Sequence, residues 1–311
     1  MQMKILHLDC THSYLYDELE KLGYINDFDF KSSKKEIENK LDNYTGIIIR
    51  SRFVIDEVFL NKAKNIKFIA RIGSGIENID VAFAKLKNIK IISTPEGNSN
   101  AVGEHAIGML LSLMNNITKS DREFSKGIWS REPNRGCELQ NKTIGLIGYG
   151  NTGKSFSKKL SGFNVNVIFF DVKTGLEDEN AKSVSLKEIQ KLADIVSLHT
   201  SLTKESIGII NQDFINNCAK PFWLINTARG KCVNTNHLIE ALKEKKILGV
   251  ALDVLEFEKS SFENLSNPKD DSLKYLMESD NVIITPHIAG WTKESKIELV
   301  KVAIDKIKKL E

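Results

Sequence analysis

Between Thr143 and Asp171 the chain reads as an apolar run, a glycine loop, a helix, a second apolar run and a closing acid. Thr143-Ile144-Gly145-Leu146-Ile147 predicts a short buried strand, and it runs straight into Gly148-Tyr149-Gly150-Asn151-Thr152-Gly153, a G-x-G-x-x-G loop. Lys154 to Leu160 follows as the first turns of a helix and Val165 to Phe170 as a second strand, which Asp171 closes 18 residues after Gly153. Each glycine has a physical role in such a unit: Gly148 permits the tight turn, Gly150 lets backbone approach a pyrophosphate, and Gly153 lets helix and strand pack closely. The phosphates would rest on the open N–H groups and positive dipole end of the helix. A glycine loop alone is also a common structural turn; the flanking strands and the acid are what make dinucleotide binding the better reading. Asp171 selects the cofactor, since it can accept from a ribose 2′-hydroxyl and repels a 2′-phosphate, which favours NAD over NADP.

At 311 residues the chain is long enough for two domains with ordinary cores. Its 41% hydrophobic and 27% charged content fits a globular protein, and a formal charge of +3 is too small to indicate a nucleic-acid or membrane partner. The segment Met1 to His7 lacks the apolar stretch and small-residue cleavage site of a leader, and no run approaches a membrane span, so a cytoplasmic protein is expected. Cys10, Cys137, Cys218 and Cys232 are scattered without C-x-x-C spacing, and no His, Asp and Glu set has metal-ligand spacing. Free thiols and no metal are expected.

The first hundred residues alternate strands (Lys4 to Leu8, Gly46 to Arg50, Lys67 to Arg71, Ile89 to Ser93) with helices (Tyr14 to Leu22, Asp56 to Ala63, Val81 to Lys87). That pattern predicts a small parallel α/β domain. Asn100 to Lys119 is expected as one long helix, followed by a polar arm from Ser120 to Asn141. A second sheet continues from Thr143 through Val165 to Asp171, Ile195 to His199, Phe222 to Ala228, Leu248 to Val254 and Val282 to Pro286. Glu258 to Asp280 reads as a charged surface insertion with some helix, and Thr292 to Leu310 as an amphipathic helix that crosses back to the first domain. The expected architecture is two Rossmann-like, doubly wound parallel-sheet α/β domains with a cleft between them: 1–99 plus 287–311 for substrate, and 100–286 for NAD.

Three ionisable residues follow successive strands of the second sheet: Arg229, Glu258 and His287. Ligands of open α/β sheets bind at the carboxyl ends of the strands, so all three should open toward one crevice. Arg229 offers a bidentate donor for a carboxylate. His287 titrates naturally near neutrality and can take a hydroxyl proton or return it. Glu258 would fix the imidazole ring, with Glu256 as a rival for that role. Asp253 suits the nicotinamide amide and a strand-end cap equally well. His199 is expected at the cofactor edge, whereas His7, His12, His105 and His237 lie in a strand or near helices away from it. In the first domain, Arg50-Ser51-Arg52 and Arg71-Ile72-Gly73-Ser74-Gly75 lie at neighbouring strand ends.

Taken together, these motifs resemble the D-isomer-specific 2-hydroxyacid dehydrogenases over nearly the whole chain, and among them the phosphoglycerate-oxidising members that lack a regulatory domain. The resemblance rests on Arg71 to Asp80, on Asn98 with Ala101-Val102-Gly103-Glu104-His105, on Leu224 to Gly230, on Ala251 to Val254 and on Thr285 to Gly290. It implies Arg229 for the substrate carboxylate and a Glu258-His287 acid/base pair. It implies cofactor contacts at Ser74, Gly148, Gly150, Asn151, Thr152, Gly153, Asp171, His199, Thr200, Ser201, Thr227, Ala228, Asp253, Ile288, Ala289 and Gly290. Substrate contacts are implied at Arg50, Arg52, Arg71, Gly73, Ser74 and Asn98, and a homodimer through the NAD-binding domain, with the arm reaching the neighbour and Arg131 near its site. Lys259 and Ser201 stand where the family often has proline.

The resemblance thus points to a small, phosphorylated 2-hydroxy or 2-keto acid as partner, with oxidation of D-3-phosphoglycerate in serine synthesis as the leading activity. A reductase of hydroxypyruvate, glyoxylate or another 2-keto acid is the near alternative. An NAD-sensing protein like the transcriptional corepressors that share these motifs is the alternative of another class.

Overall fold

The computed structural model describes residues 3–258 and 271–310. These divide into two compact units, 3–98 with 291–310 and 99–258 with 271–290.

In the first unit, five parallel strands, β1 (Lys4–His7), β2 (Ile25–Phe28), β3 (Gly46–Ile49), β4 (Phe68–Arg71) and β5 (Lys90–Ser93), lie in the order β2-β1-β3-β4-β5. Strand order reverses at β1, so the switch point, where crevices open in such sheets, falls between β1 and β3. Apolar residues fill both faces. Ile47, Ile49, Phe59, Leu60 and Ile69 pack on one; Ile5, Leu15, Ile48, Ala70, Val300 and Ile304 pack on the other. Two elements were not expected from the sequence. β2 is an edge strand whose second half is exposed, so its Ile25-Asn26-Asp27-Phe28 carries no apolar run. The helix Lys34–Glu38 is five residues long and owes its start to a capping box between Ser33 and Glu36.

The final helix, Lys293–Lys308, belongs to the first unit. Leu299, Val300, Ala303, Ile304 and Ile307 are buried in the core shared with helix Tyr14–Lys21. A Cβ on Gly97 would come within 2.6 Å of Leu299 Cα, so only glycine lets the chain pass there.

In the second unit, β6 (Thr143–Ile147), β7 (Asn166–Phe170), β8 (Lys182–Ser183), β9 (Ile195–Leu198), β10 (Phe222–Asn226), β11 (Ile247–Leu252) and β12 (Val282–Ile284) form a parallel sheet in the order β12-β11-β10-β9-β6-β7-β8. Its switch point lies at β6, which has β9 on one side and β7 on the other, so the glycine loop emerges at the reversal. The expected helix from Asn100 to Lys119 is two helices, Ser99–Met114 and Ile117–Phe124. Asn116 between them adopts the left-handed conformation (φ 53°), which an α-helix cannot continue through and which asparagine tolerates better than most residues. Of the insertion expected from Glu258 to Asp280, residues 259–270 lie outside the described ones, and Asp271–Glu278 is a helix. Residues 287–290, expected with the first unit, group with the second, because the Asp253 side chain holds their backbone.

Candidate active site

The glycine loop has the geometry that phosphate binding asks of it. Gly148 sits at φ 94°, and a Cβ there would come within 2.7 Å of the His199 carbonyl oxygen. A Cβ on Gly153 would lie 2.5 Å from the Gly148 carbonyl oxygen, so helix and loop touch backbone to backbone. Gly150 differs from both. It precedes the helix Asn151–Lys159, which includes Thr152, and its missing Cβ would point into open space. The first turn of that helix carries no acid. An open cradle at a helix N-terminus fits a pyrophosphate.

Asp171 accepts from the Tyr149 N–H at 2.7 Å and from the Lys173 N–H at 2.9 Å, one on each carboxylate oxygen. A carboxylate has about four acceptor positions, so two remain for ribose hydroxyls. Tyr149 itself is fully buried, stacked on Phe169 at 4.0 Å, and its hydroxyl donates to Asp178 at 2.7 Å. The segment after Asp171 is thereby tied back to the loop. Thr227, just past β10, has a buried hydroxyl with no hydrogen-bond partner among the described residues. A buried polar atom without a partner is rare and points to a group that completes it.

Some expected cofactor residues have other work. The His199 ring is buried beside Phe156 at 5.2 Å and bonded to Ser197 at 2.9 Å, so it props the glycine loop from beneath instead of facing its edge. Burial pushes its pKa down to about 3, which keeps it neutral. Thr200 lies against Gly148 and 3.6 Å from Cys232 Sγ. Ser201 uses its carbonyl to hold Ser206, and the Ala228 N–H donates to Asn226 within the turn after β10.

His287 and Glu258 meet: Nδ1 of the imidazole is 2.8 Å from Oε2 of the carboxylate. The other Glu258 oxygen accepts from the Leu255 N–H at 2.6 Å, so the glutamate is fixed at both ends. Glu256 is engaged elsewhere, accepting from the backbone and hydroxyl of Thr235 at 3.0 and 2.8 Å. Of the two glutamates, Glu258 is the one placed against His287. Because a carboxylate only accepts, Nδ1 carries the proton and Nε2 is left as the acceptor.

His287 adopts φ 55°, a left-handed conformation that costs a non-glycine residue about 1–2 kcal/mol. Asp253, 2% exposed, is what offsets this cost. Its carbonyl accepts from the His287 N–H at 2.8 Å, and its carboxylate accepts from Thr285 Oγ1 at 2.6 Å, Ile288 N–H at 2.8 Å and Ala289 N–H at 2.9 Å. Three of its four acceptor positions therefore go to the turn, as those of a strand-end cap do. The Ile288 and Ala289 N–H groups are likewise taken by Asp253, so at these two positions the backbone serves the turn before it serves any cofactor. His105 joins this network, with Nε2 3.1 Å from Thr285 Oγ1. Its place mid-helix gave no sign of that, because helical spacing cannot show what a helix packs against.

Arg229 lies one turn past β10, with Nη1 donating to the Ala228 carbonyl at 2.7 Å. The next residue explains its placement. A Cβ on Gly230 would be 1.9 Å from the Leu255 carbonyl oxygen, so glycine lets the Arg229 loop lie directly on the segment that ends in Glu258.

In the first unit, Ser74 donates to the Asn98 side-chain oxygen at 2.7 Å. Gly73 donates its N–H to the buried Thr94 hydroxyl at 2.8 Å, and a Cβ on it would lie 1.5 Å from Arg71 Nη1. Gly73 thus makes room for Arg71 to fold across it. The Arg52 guanidinium donates to the carbonyls of Leu8, Asp29 and Ser32, which ties three loops together. Arg50 instead lies over the Trp291 ring, 4.4 Å from its centroid.

A family profile described as "D-isomer specific 2-hydroxyacid dehydrogenase, NAD binding domain" matches residues 107–289. The D-3-phosphoglycerate dehydrogenase of Archaeoglobus fulgidus is 32% identical over 300 residues, 96% of this chain and 55% of that protein, so this chain spans about half the length of that relative. The hydroxypyruvate reductase of Thermotoga maritima is 33% identical over 272 residues, covering 86% of each. Among solved structures, the D-lactate dehydrogenase of Aquifex aeolicus complexed with NAD and lactic acid superposes with a TM-score of 0.83 at 28% identity, covering 99% of this chain and 95% of that one. The chain belongs to the D-isomer-specific 2-hydroxyacid dehydrogenases, and residues 107–289 correspond to their NAD-binding domain.

Proposed function

We propose that this chain oxidises D-3-phosphoglycerate to 3-phosphohydroxypyruvate, or runs the reverse reduction, as a step toward serine. The observation that carries the reaction class is the 2.8 Å Glu258–His287 pair on a turn held in place by Asp253. Arg229 takes the substrate carboxylate through its guanidinium fork. His287 Nε2 removes the proton from the C2 hydroxyl on oxidation and returns it on reduction. Glu258 holds Nδ1–H, keeping the acceptor nitrogen toward the substrate and stabilising the imidazolium that forms. Bound NAD would supply the hydride acceptor or donor for C2. The Gly150 to Gly153 backbone would hold the pyrophosphate and Asp171 the ribose. Ser74 and Asn98 are assigned to the substrate side, and Arg50 and Arg71 to the phosphate.

A reductase of unphosphorylated 2-keto acids is the second reading, favoured by the equal coverage of the Thermotoga relative. We also infer a homodimer through the second unit. On the arm, Phe124 and Trp129 are 64% and 81% exposed and meet edge to face, an apolar surface of the kind another protein covers.

The purified chain is tested with NADH and NADPH against 3-phosphohydroxypyruvate, hydroxypyruvate, glyoxylate and pyruvate. Turnover of the first with NADH is expected. A higher kcat/KM for hydroxypyruvate would move the substrate to the second reading, and no oxidation with any keto acid would remove the enzymatic one. Asp171→Ala is expected to narrow the NADH preference at least about tenfold through lost ribose binding; an unchanged ratio would remove Asp171 as selector.

A further inference from the structure

Tyr149 lies between Gly148, at φ 94°, and Gly150, whose missing Cβ faces open space. Glycines leave the backbone free to move, so a loop built on them keeps one shape only where a neighbour pins it. Tyr149 supplies that pin. Its fully buried ring stacks on Phe169 of β7 at 4.0 Å, and its hydroxyl donates to Asp178 at 2.7 Å, with Ser157 Oγ 3.2 Å away. Its N–H donates to Asp171 Oδ2 at 2.7 Å. One residue therefore touches both ends of the segment from Asp171 to Asp178, the first with its backbone and the second with its side chain.

Burial holds little of that segment. Val172 to Gly175 are exposed, and Gly175 adopts φ 72°. Beyond it, β8 is two residues long and pairs with β7 at Ile168 and Phe169. Asp178 is where the segment turns back: it accepts from the Asn180 N–H at 3.0 Å, bridges to Ala181, and has Lys154 of the helix Asn151–Lys159 3.7 Å from its other oxygen. Burial raises the pKa of the Tyr149 phenol above its usual value and the Asp178 carboxylate adds to the rise, so the hydroxyl stays a donor. A hydrogen bond to an ionised acceptor is about twice as strong as one between neutral groups.

Resting on the assignment of the cofactor ribose to Asp171, we propose that Tyr149 and Asp178 are a positioning pair that fixes the Asp171 carboxylate before NAD arrives. The Tyr149 N–H sets the carboxylate from the loop side, and the Tyr149–Asp178 hydrogen bond holds the far end of the segment that Asp171 begins. Ordering the ribose acceptor in advance lowers the entropy lost on binding. The effect falls on NADH affinity, while kcat at saturating NADH moves little, because neither residue belongs to the groups that move the proton. It also falls on cofactor discrimination, since a carboxylate that swings away neither receives a 2′-hydroxyl nor repels a 2′-phosphate.

The test titrates NADH and NADPH into the full chain by nicotinamide fluorescence, beside urea unfolding of the unliganded protein and kcat for the best keto acid of the panel above. Tyr149→Phe keeps the stack on Phe169 and removes only the hydroxyl. It is expected to raise the Kd for NADH about five-fold, with shifts of less than about two-fold in the Kd for NADPH and in kcat at saturating NADH. Asp178→Ala should match it, and Asp178→Asn, which keeps an acceptor for the hydroxyl, should retain most of the affinity. Tyr149→Phe should add nothing further in an Asp178→Ala or an Asp171→Ala background. A Tyr149→Phe protein that is weaker in urea yet binds NADH at the wild-type Kd would make the contact structural only and overturn the proposal. Effects that multiply in either double variant, or equal losses for NADH and NADPH, would overturn it as well. Asp171→Ala without effect on NADH would remove the ribose assignment and the proposal with it, whereas a weakened Asp171→Ala beside a silent Tyr149→Phe removes the proposal alone.

Discussion

At the strand ends of the second unit the polar groups hold one another: Asp253 grips the 287–289 turn, Glu258 grips His287, and Gly230 lets the Arg229 loop lie on the Glu258 segment. At the strand ends of the first unit the notable groups are cations, Arg50, Arg52 and Arg71, laid along an aromatic ring, loop carbonyls and a bare glycine. Proton transfer tolerates little positional error, so the groups that perform it are over-determined by short hydrogen bonds. Anion binding acts over a longer range and needs charge with a defined edge. The contrast separates the kinetics: damage to the second set should appear in kcat, damage to the first in KM.

The largest expected effect is at His287. His287→Gln keeps a polar side chain but removes the titrating nitrogen, and kcat should fall about 10²–10⁴-fold with KM little changed. Glu258→Gln should cost less, because the proton acceptor survives and only its orientation and charge support are lost. The two should be far from additive, since they act as one unit. A double variant whose loss equals the product of the singles would mean the 2.8 Å contact is not used in catalysis.

Acid stability comes next, because each unit buries one neutral histidine. His7 in β1 is fully buried, with Nε2 2.7 Å from the Asn26 side-chain oxygen, and burial pushes its pKa from 6.5 down to about 4. His199 is pushed to about 3 in the same way. An unfolded chain takes up these protons near pH 6.5 and the folded chain resists, so stability is full above that pH and declines as pH falls toward 4 and 3. The loss approaches about 3 kcal/mol for His7 and about 5 kcal/mol for His199 once both states are protonated. Urea unfolding at several pH values reads it. His7→Gln should flatten the acid limb of the first unit and His199→Gln that of the second; a limb that persists in both variants would assign the acid sensitivity to carboxylates.

The cofactor loop was legible in the sequence because its constraints are local: Gly148, Gly150 and Gly153 answer to backbone geometry within a few residues. The approach of Glu258 to His287 was legible because parallel topology puts strand ends on one edge, so position along the chain predicts position in space. What stayed hidden depends on partners far apart in sequence. His105 reaches Thr285 across 180 residues, and Trp291 stacks on a residue 241 positions earlier (291 − 50). Periodicity and spacing carry no information about such pairs. The carbonyl partners of Arg52 were hidden for a related reason, since an arginine in a strand-end loop looks the same whether it faces a ligand or three carbonyls.

The smallest effect sharpens the comparison most, because it divides the arginines of the first unit. Arg52→Met leaves the Leu8, Asp29 and Ser32 carbonyls without their donor, which should cost about 2 kcal/mol of stability at most, since water can reach part of this site, with KM for the acid substrate little altered. Arg71→Met should raise KM about tenfold, as loss of one charge-assisted contact does. Gly73→Ala gives an independent check on the second half. The added methyl would occupy the space of Arg71 Nη1 and strain the backbone at φ 149°, so it should reproduce the Arg71→Met rise in KM although it removes no charge. If Gly73→Ala leaves KM at the wild-type value while Arg71→Met raises it, the guanidinium works from some position other than the one folded across Gly73. If Arg52→Met raises KM as much as Arg71→Met, the division between tying arginine and binding arginine fails, and the first unit meets its anion with all three.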